Sequence, residues 1–263
     1  MSDINSKEYI GHKIFDRLND IKSFYDSLSF GVMKWVSMGT KGIVNLDTYV
    51  FSSIAGTIES VSVLLKNGRI NDGYALLRKY YDSTFINVYT NLYLNDHFSI
   101  ENFVVSQIDG WIKGTEKIPE YRVISQYIKA SPKLKEITDL LQKDDRYKNI
   151  RERCNAHTHY NFYKYHFLND KDVYIGDRTK ALDTFLVDFD SIFIQHFAYL
   201  FFLHDHYFMS EDYTDYIDMG DIPPEDSQYW VATYIQNIFD KVIKEKRPDI
   251  AAAIKNKTSM HLE

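Results

Sequence analysis

Arg151, Arg153, Asn155, His157 and His159 crowd into nine positions of the stretch RYKNIRERCNAHTHYNFYKYH. Those side chains suit chemistry on a phosphate diester. Metal-free cleavage of such an ester needs one group to take a proton from the attacking hydroxyl, one to protonate the leaving oxygen, and positive charge on the phosphorane oxygens. Histidine titrates near neutrality and can act as base or acid, while a planar guanidinium holds a phosphate through paired N–H groups. On a helix, Ile150, Cys154, His157 and Asn161 share one face, and Arg153, His157, Tyr160 and Lys164 share its neighbour. Arg153 stands one turn before His157. Arg151 stands roughly 9 Å before it along the axis and is turned away by about 120°, a gap its long stem largely closes. The spacing leaves both arginines as candidates.

Upstream, Arg78 and Asp82 lie one helical turn apart and are expected to pair. No metal or cofactor is expected. In His157-x-His159 and His204-x-His206 the two imidazoles would point about 200° apart on a helix, and there is no H-E-x-x-H. Cys154 is the one cysteine, which excludes a disulfide framework and a thiolate cage; its arginine neighbours would lower its pKa, but its place on the helix reads as buried filler. The sequence holds no glycine-rich phosphate loop, no G-x-S-x-G elbow and no basic recognition helix. His196, in the middle of an apolar stripe, reads as a core histidine with a hydrogen-bond partner.

An arginine, a short polar gap and a histidine on one helix of a helical chain resemble the R-x(4–6)-H signature of the HEPN superfamily. Arg151-x5-His157 fits that spacing, as does Arg153-x5-His159. The segment GRINDGYALLRKYYDSTFINVY resembles the early helix of prokaryotic HEPN groups that carries R-x-x-x-E, with Asp82 here in place of the longer glutamate. The resemblance spans about residues 47–208. It implies catalytic roles for Arg151 or Arg153 and His157, with Asn155 and His159 beside them, and a supporting role for Arg78 and Asp82 in positioning the motif helix. It also implies a homodimer whose motif helices face each other across a shared cleft, an RNA substrate cut without metal, and a bacterial defence or toxin setting with a cognate antitoxin or partner protein. Because HEPN domains also include non-nucleases, a non-catalytic helical module that binds a partner protein or a nucleotide is the alternative.

The elements that must position these residues are helices. With 11 glycines and 5 prolines in 263 residues, and 44% hydrophobic side chains, the chain suits long helices around a large core. Its 21 tyrosines and 17 phenylalanines predict a core of rings with hydroxyls at the edges. The expected fold is an all-α bundle of long antiparallel helices in one domain. A helix over 4–28 precedes the HEPN-like core, and an acidic loop and helix over 209–263 follow it. Hydrophobic periodicity places helices at 47–66, from Asn71 to beyond Leu92, from Ser99 to Gly114, over 119–130, from Pro132, over 146–167, over 179–207 and over 227–246, with a frayed tail from Lys255. A break is expected near Gly39 and Gly42, and a short extended piece at 173–175.

Net charge is −6, against a general nucleic-acid coat, but Lys143, Arg146, Lys148, Arg151 and Arg153 make a local basic patch suited to a phosphodiester. Between Asp205 and Asp226 there is no Lys or Arg, a solvated loop or a surface for a basic partner. The N-terminal residues carry no signal pattern, and the most apolar segment, SIFIQHFAYLFFLHDHYF, is broken by polar residues and reads as a core helix. No membrane span and a cytoplasmic setting are expected.

Overall fold

A computed structural model describes residues 3–33, 46–99, 101–172 and 178–263. The expected break near Gly39 and Gly42 and the extended piece at 173–175 lie outside the described residues. Among them the chain is an all-α bundle with no β-strand beyond one isolated antiparallel bridge, Met209 to Val231.

One short and one long N-terminal helix replace the single one predicted. Helix α1 (Lys7–Ile10) closes at Gly11, and α2 (Ile14–Val32) restarts with Ile14, Leu18, Ile21, Tyr25 and Leu28 buried. Ile10, expected inward, is exposed because the break takes it off that stripe. Helix α3 (Leu46–Lys66) packs on α2 and buries Ile54, Ile58, Val61 and Leu65. It stops at Gly68, whose φ of 74° a side chain rarely adopts. The chain reverses there into α4 (Ile70–His97), the longest helix, with Tyr74, Leu77, Tyr81, Phe85, Val88 and Leu92 inward as predicted.

Residues 101–105 are not helical, so α5 is short (Ser106–Ile112). Helix α6 (Tyr121–Ala130) leads through a 3-10 turn at Pro132–Leu134 into α7 (Lys135–Leu141); Ser131 makes no side-chain cap. The motif helix α8 (Arg146–Thr158) is shorter than predicted. Tyr160 takes φ 48°, which no helix continues through, and the chain resumes as α9 (Lys164–Phe167).

Helix α10 (Arg178–Leu203) is the axis of the bundle. By length and composition α3 and α10 could each cross a membrane, yet 83% of the apolar window of α10 is buried within the protein. Phe24 meets Phe193 edge to face at 5.1 Å, tying α2 to α10. A 3-10 turn at Asp205–Phe208 ends the predicted 179–207 helix early, and α11 (Asp212–Asp218) buries none of its residues. The last predicted helix is divided into a 3-10 turn at Ser227–Tyr229, α12 (Thr233–Ile238) and a π-helical run Phe239–Lys244. The tail is not frayed. Helix α13 (Pro248–Lys257) buries Ile250 and Ile254, and the His261 amide bonds the Tyr229 carbonyl at 2.7 Å.

A buried chain of polar groups runs through this core. The Tyr25 hydroxyl sits 3.1 Å from Tyr80 and 2.7 Å from His196 Nδ1; His196 Nε2 is 2.9 Å from Asn87 Oδ1. Asn87 and Asn91 both donate to Asp47 Oδ1, and His204 bonds Asn91. His196 is thus the core histidine expected, and burial lowers its pKa to about 3.

Candidate functional site

Helix α8 lies against α4, and its polar side chains reach in different directions. Arg151 turns toward α4 and α6. Its Nη1 donates to Asp82 Oδ1 at 2.8 Å, and its guanidinium carbon sits 3.2 Å above the Tyr121 ring centroid. Asp82 also accepts from Arg78 Nε at 2.9 Å, the predicted one-turn pair, while Arg78 Nη1 donates to Asn155 Oδ1. Arg78, Asp82, Arg151 and Asn155 therefore form one half-buried cluster in which two guanidiniums share a carboxylate, leaving one net positive charge.

Arg153 turns toward α10 instead. Its Nε donates to Asp188 Oδ2 at 2.7 Å, with a longer Nη2 contact at 3.4 Å to Oδ1. Burial pushes the Asp188 pKa up, against Arg153 and Tyr74, which pull it down.

His157 points to a third place. It is 4% exposed and lies between two tyrosine rings, Tyr74 at 4.0 Å and 14° and Tyr165 at 3.9 Å and 29° between ring centroids and planes. Its Nδ1 is 2.8 Å from Asn71 Oδ1, so the amide oxygen fixes Nδ1 as the protonated nitrogen. Burial, with Arg153 and Lys164 adding to it, lowers the pKa from 6.5 to about 4. The imidazole is neutral at pH 7 and screened from solvent by the rings.

The convergence expected of His157 with Arg151 or Arg153 is not what these side chains do within one protomer. Arg151 is held by Asp82 of α4, which it shares with Arg78, and Arg153 by Asp188 of α10, while the histidine is stacked out of reach. The sequence signal misled because helical phase gives the direction a side chain leaves the backbone and says nothing of which neighbour captures it. Asn155 does sit with the Arg78–Asp82 pair. His159, at the end of α8, is exposed. Cys154 is fully buried, the filler it was read as, and burial pushes its thiol up to about 12, outweighing the guanidiniums nearby that pull it down.

Sequence reasoning missed Asn71, Tyr74, Tyr165 and Asp188. Asn71 lies 86 positions from the imidazole it orients, and no local pattern reports such a pairing. Asp188 carried a usable signal, an acidic residue set among the apolar positions Phe185, Leu186, Val187 and Phe189, which calls for a buried partner. No cluster of three or more His, Cys, Asp or Glu suited to a metal occurs among the described residues. Compared with protein-family models, with curated proteins and with solved structures, the chain finds no match in any of the three.

Proposed function

We propose that the chain is a HEPN-like helical module that binds a partner or ligand, and that its Arg–His helix serves to organise the bundle instead of cutting RNA. The state of His157 carries this reading. A general acid–base group must reach the proton it transfers and titrate near the working pH. This imidazole is stacked on both faces, committed to Asn71 at one nitrogen, and lowered to about 4.

A second reading rests on His159, which is exposed at the end of α8, and on the net positive charge of the Arg78–Asp82–Arg151 cluster. In a homodimer with motif helices facing each other, two such histidines would supply both proton transfers of a metal-independent endoribonuclease. A bacterial defence or toxin role, with a cognate antitoxin, belongs to this reading.

One experiment separates the two. The purified protein is incubated with single-stranded RNA in the presence of a chelator, alongside His157→Ala and His159→Ala, with thermal midpoints measured for each. The module reading expects intact RNA from every sample and a loss of about 3 kcal/mol of stability in His157→Ala, where a stacked ring is deleted. Cleavage that disappears in His159→Ala at an unchanged midpoint would establish the second reading and end the first.

A further inference from the structure

Alone among the described α-helices, α11 buries none of its residues. It is nonetheless held in place. The Ser210 amide bonds the Trp230 carbonyl at 2.7 Å and the Ala232 amide bonds the Phe208 carbonyl at 3.0 Å, which ties the two ends of this loop together at its base. The Asp221 amide then closes the turn after α11 on the Tyr216 carbonyl at 2.9 Å. At about 100° per residue the sequence DYTDYID sorts into two arcs, with Asp212, Asp215 and Asp218 on one and Tyr213, Tyr216 and Ile217 on the other. An apolar arc of this kind ordinarily faces a core. Here Tyr216 is 39% and Ile217 49% exposed, and just beyond the helix Met219 is 78% and Ile222 92% exposed. Single apolar side chains on a surface need no explanation, but four within seven positions make a patch of the kind used for contact.

The charge around the patch says what would cover it. From Glu211 to Asp226 there are seven carboxylates, and the nearest basic residues in the sequence are Lys180 and Lys241. None of Asp212, Asp215, Asp218 and Asp221 forms an ion pair with a described Lys or Arg. Carboxylates at three-residue spacing repel one another, so an apolar face flanked by them favours a partner of opposite sign.

We propose that α11 and the turn after it dock a cationic amphipathic helix of a partner protein. Its apolar stripe lies on Tyr216, Ile217, Met219 and Ile222, and its lysines or arginines meet Asp215, Asp218 and Asp221. This goes beyond the module reading and stands apart from it, because no residue of α8 belongs to the surface.

The test is a fluorescence-anisotropy titration of the full chain against a labelled peptide of about four helical turns, with leucines on one face and lysines elsewhere. Two controls accompany it, a twin with glutamate for every lysine and a scramble of the same composition without the apolar face. The lysine peptide is expected to bind at least about tenfold more tightly than either control. Combining Asp215→Asn, Asp218→Asn and Asp221→Asn is expected to weaken it about tenfold and to flatten its salt dependence. Combining Ile217→Ser, Met219→Ser and Ile222→Ser is expected to weaken it as much while keeping the salt dependence. All six positions are exposed, so both variants should keep the wild-type thermal midpoint. The proposal is overturned if the lysine peptide does not bind at millimolar concentration, if the scramble binds as tightly, or if both variants bind as wild type does. A wild-type dimer in sedimentation that the serine variant dissociates would give the surface to a second copy and overturn it too. Whether the protein cuts RNA has no bearing on these outcomes, so failure here and failure of the module reading remain distinct.

Discussion

Arg153 and Asp188 form a pair whose members differ in what they lose when parted. The Asp188 side chain is 3% exposed, whereas that of Arg153 is 38% exposed. Deleting the carboxylate lets the guanidinium swing into water. Deleting the guanidinium strands a charge beside Tyr74 in the interior, and breaking a buried pair in that way costs about 3–5 kcal/mol. Arg153→Met is therefore expected to destabilise more than Asp188→Ala at pH 7, by roughly 1–2 kcal/mol on the same scale. The pH dependence has a definite sign. Without Arg153 the Asp188 pKa rises further above its unfolded value, so the variant loses stability as pH rises through the folded pKa and recovers part of it at pH 5. Urea unfolding of both variants at pH 5 and pH 7 reads this directly. Equal costs at both pH values would show that Asp188 is not the stranded group. At this scale the residue types at the site were legible in the sequence, and the Arg78–Asp82 pair was fully so, because a one-turn spacing dictates contact. The capture of Arg153 by Asp188, 35 positions away, was not. It depends on how α8 and α10 pack, which no local spacing encodes.

Among the elements, α3, α4 and α10 were read from hydrophobic period nearly to their ends, since long apolar stripes leave one way to bury them. The short pieces were not. The turns at Gly11 and Tyr160 interrupt sequences whose periodicity continues, and the π-helical run Phe239–Lys244 shifts its phase; at Tyr160 tertiary contacts decide it, because Tyr165 folds back to cover His157, so α8 does not run on to Phe167. The register of the long helices is pinned by the polar chain in their interior. Asn87 is its joint, accepting from His196 and donating to Asp47 at 2.7 Å with no exposure of its own. Asn87→Leu keeps the volume near that of the amide but takes one partner from His196 Nε2 and one from Asp47. The expected loss is about 3 kcal/mol, in place of the gain that an apolar substitution in a core would bring if those groups were otherwise satisfied. Denaturant unfolding checks it, and a change under about 0.5 kcal/mol, the spread of surface substitutions, would mean that the chain of hydrogen bonds adds nothing to the bundle.

Across the whole molecule these buried histidines set how stability responds to acid. His157 and His196 have folded pKa values of about 4 and about 3, both below the 6.5 of an unperturbed imidazole. The unfolded chain therefore binds more protons than the folded one below pH 6.5, and the stability these groups contribute is fully present above that pH and is lost as pH falls. Asp190 acts in the opposite sense. Burial raises its pKa to about 6, against Arg17 at 3.4 Å, so the folded state takes up its proton first between pH 6 and 3.8 and gains stability as pH falls through that range. From pH 6.5 to 6 two protons favour the unfolded chain; from 6 to about 4 the excess drops to one. At about 1.4 kcal/mol per pH unit for each proton, these three groups alone would cost roughly 3–4 kcal/mol between pH 6.5 and 4.5, and Asp188, which burial also raises, offsets part of that loss. Long-range charge does not reverse this, since the formal charge of −6 at pH 7 passes through zero near pH 5.8 and turns positive below it, so repulsion is first relieved and then restored, and is screened at ordinary ionic strength. Urea midpoints measured from pH 7.5 to 4.5 on wild type and on His157→Gln are the decisive comparison. The variant starts less stable and is expected to lose one proton's slope, so the two curves approach each other as pH falls. Parallel curves would mean that the imidazole titrates in the folded protein as it does in the unfolded chain. It would then be open to solvent, and the case for His157 as a sealed packing group would fail with it.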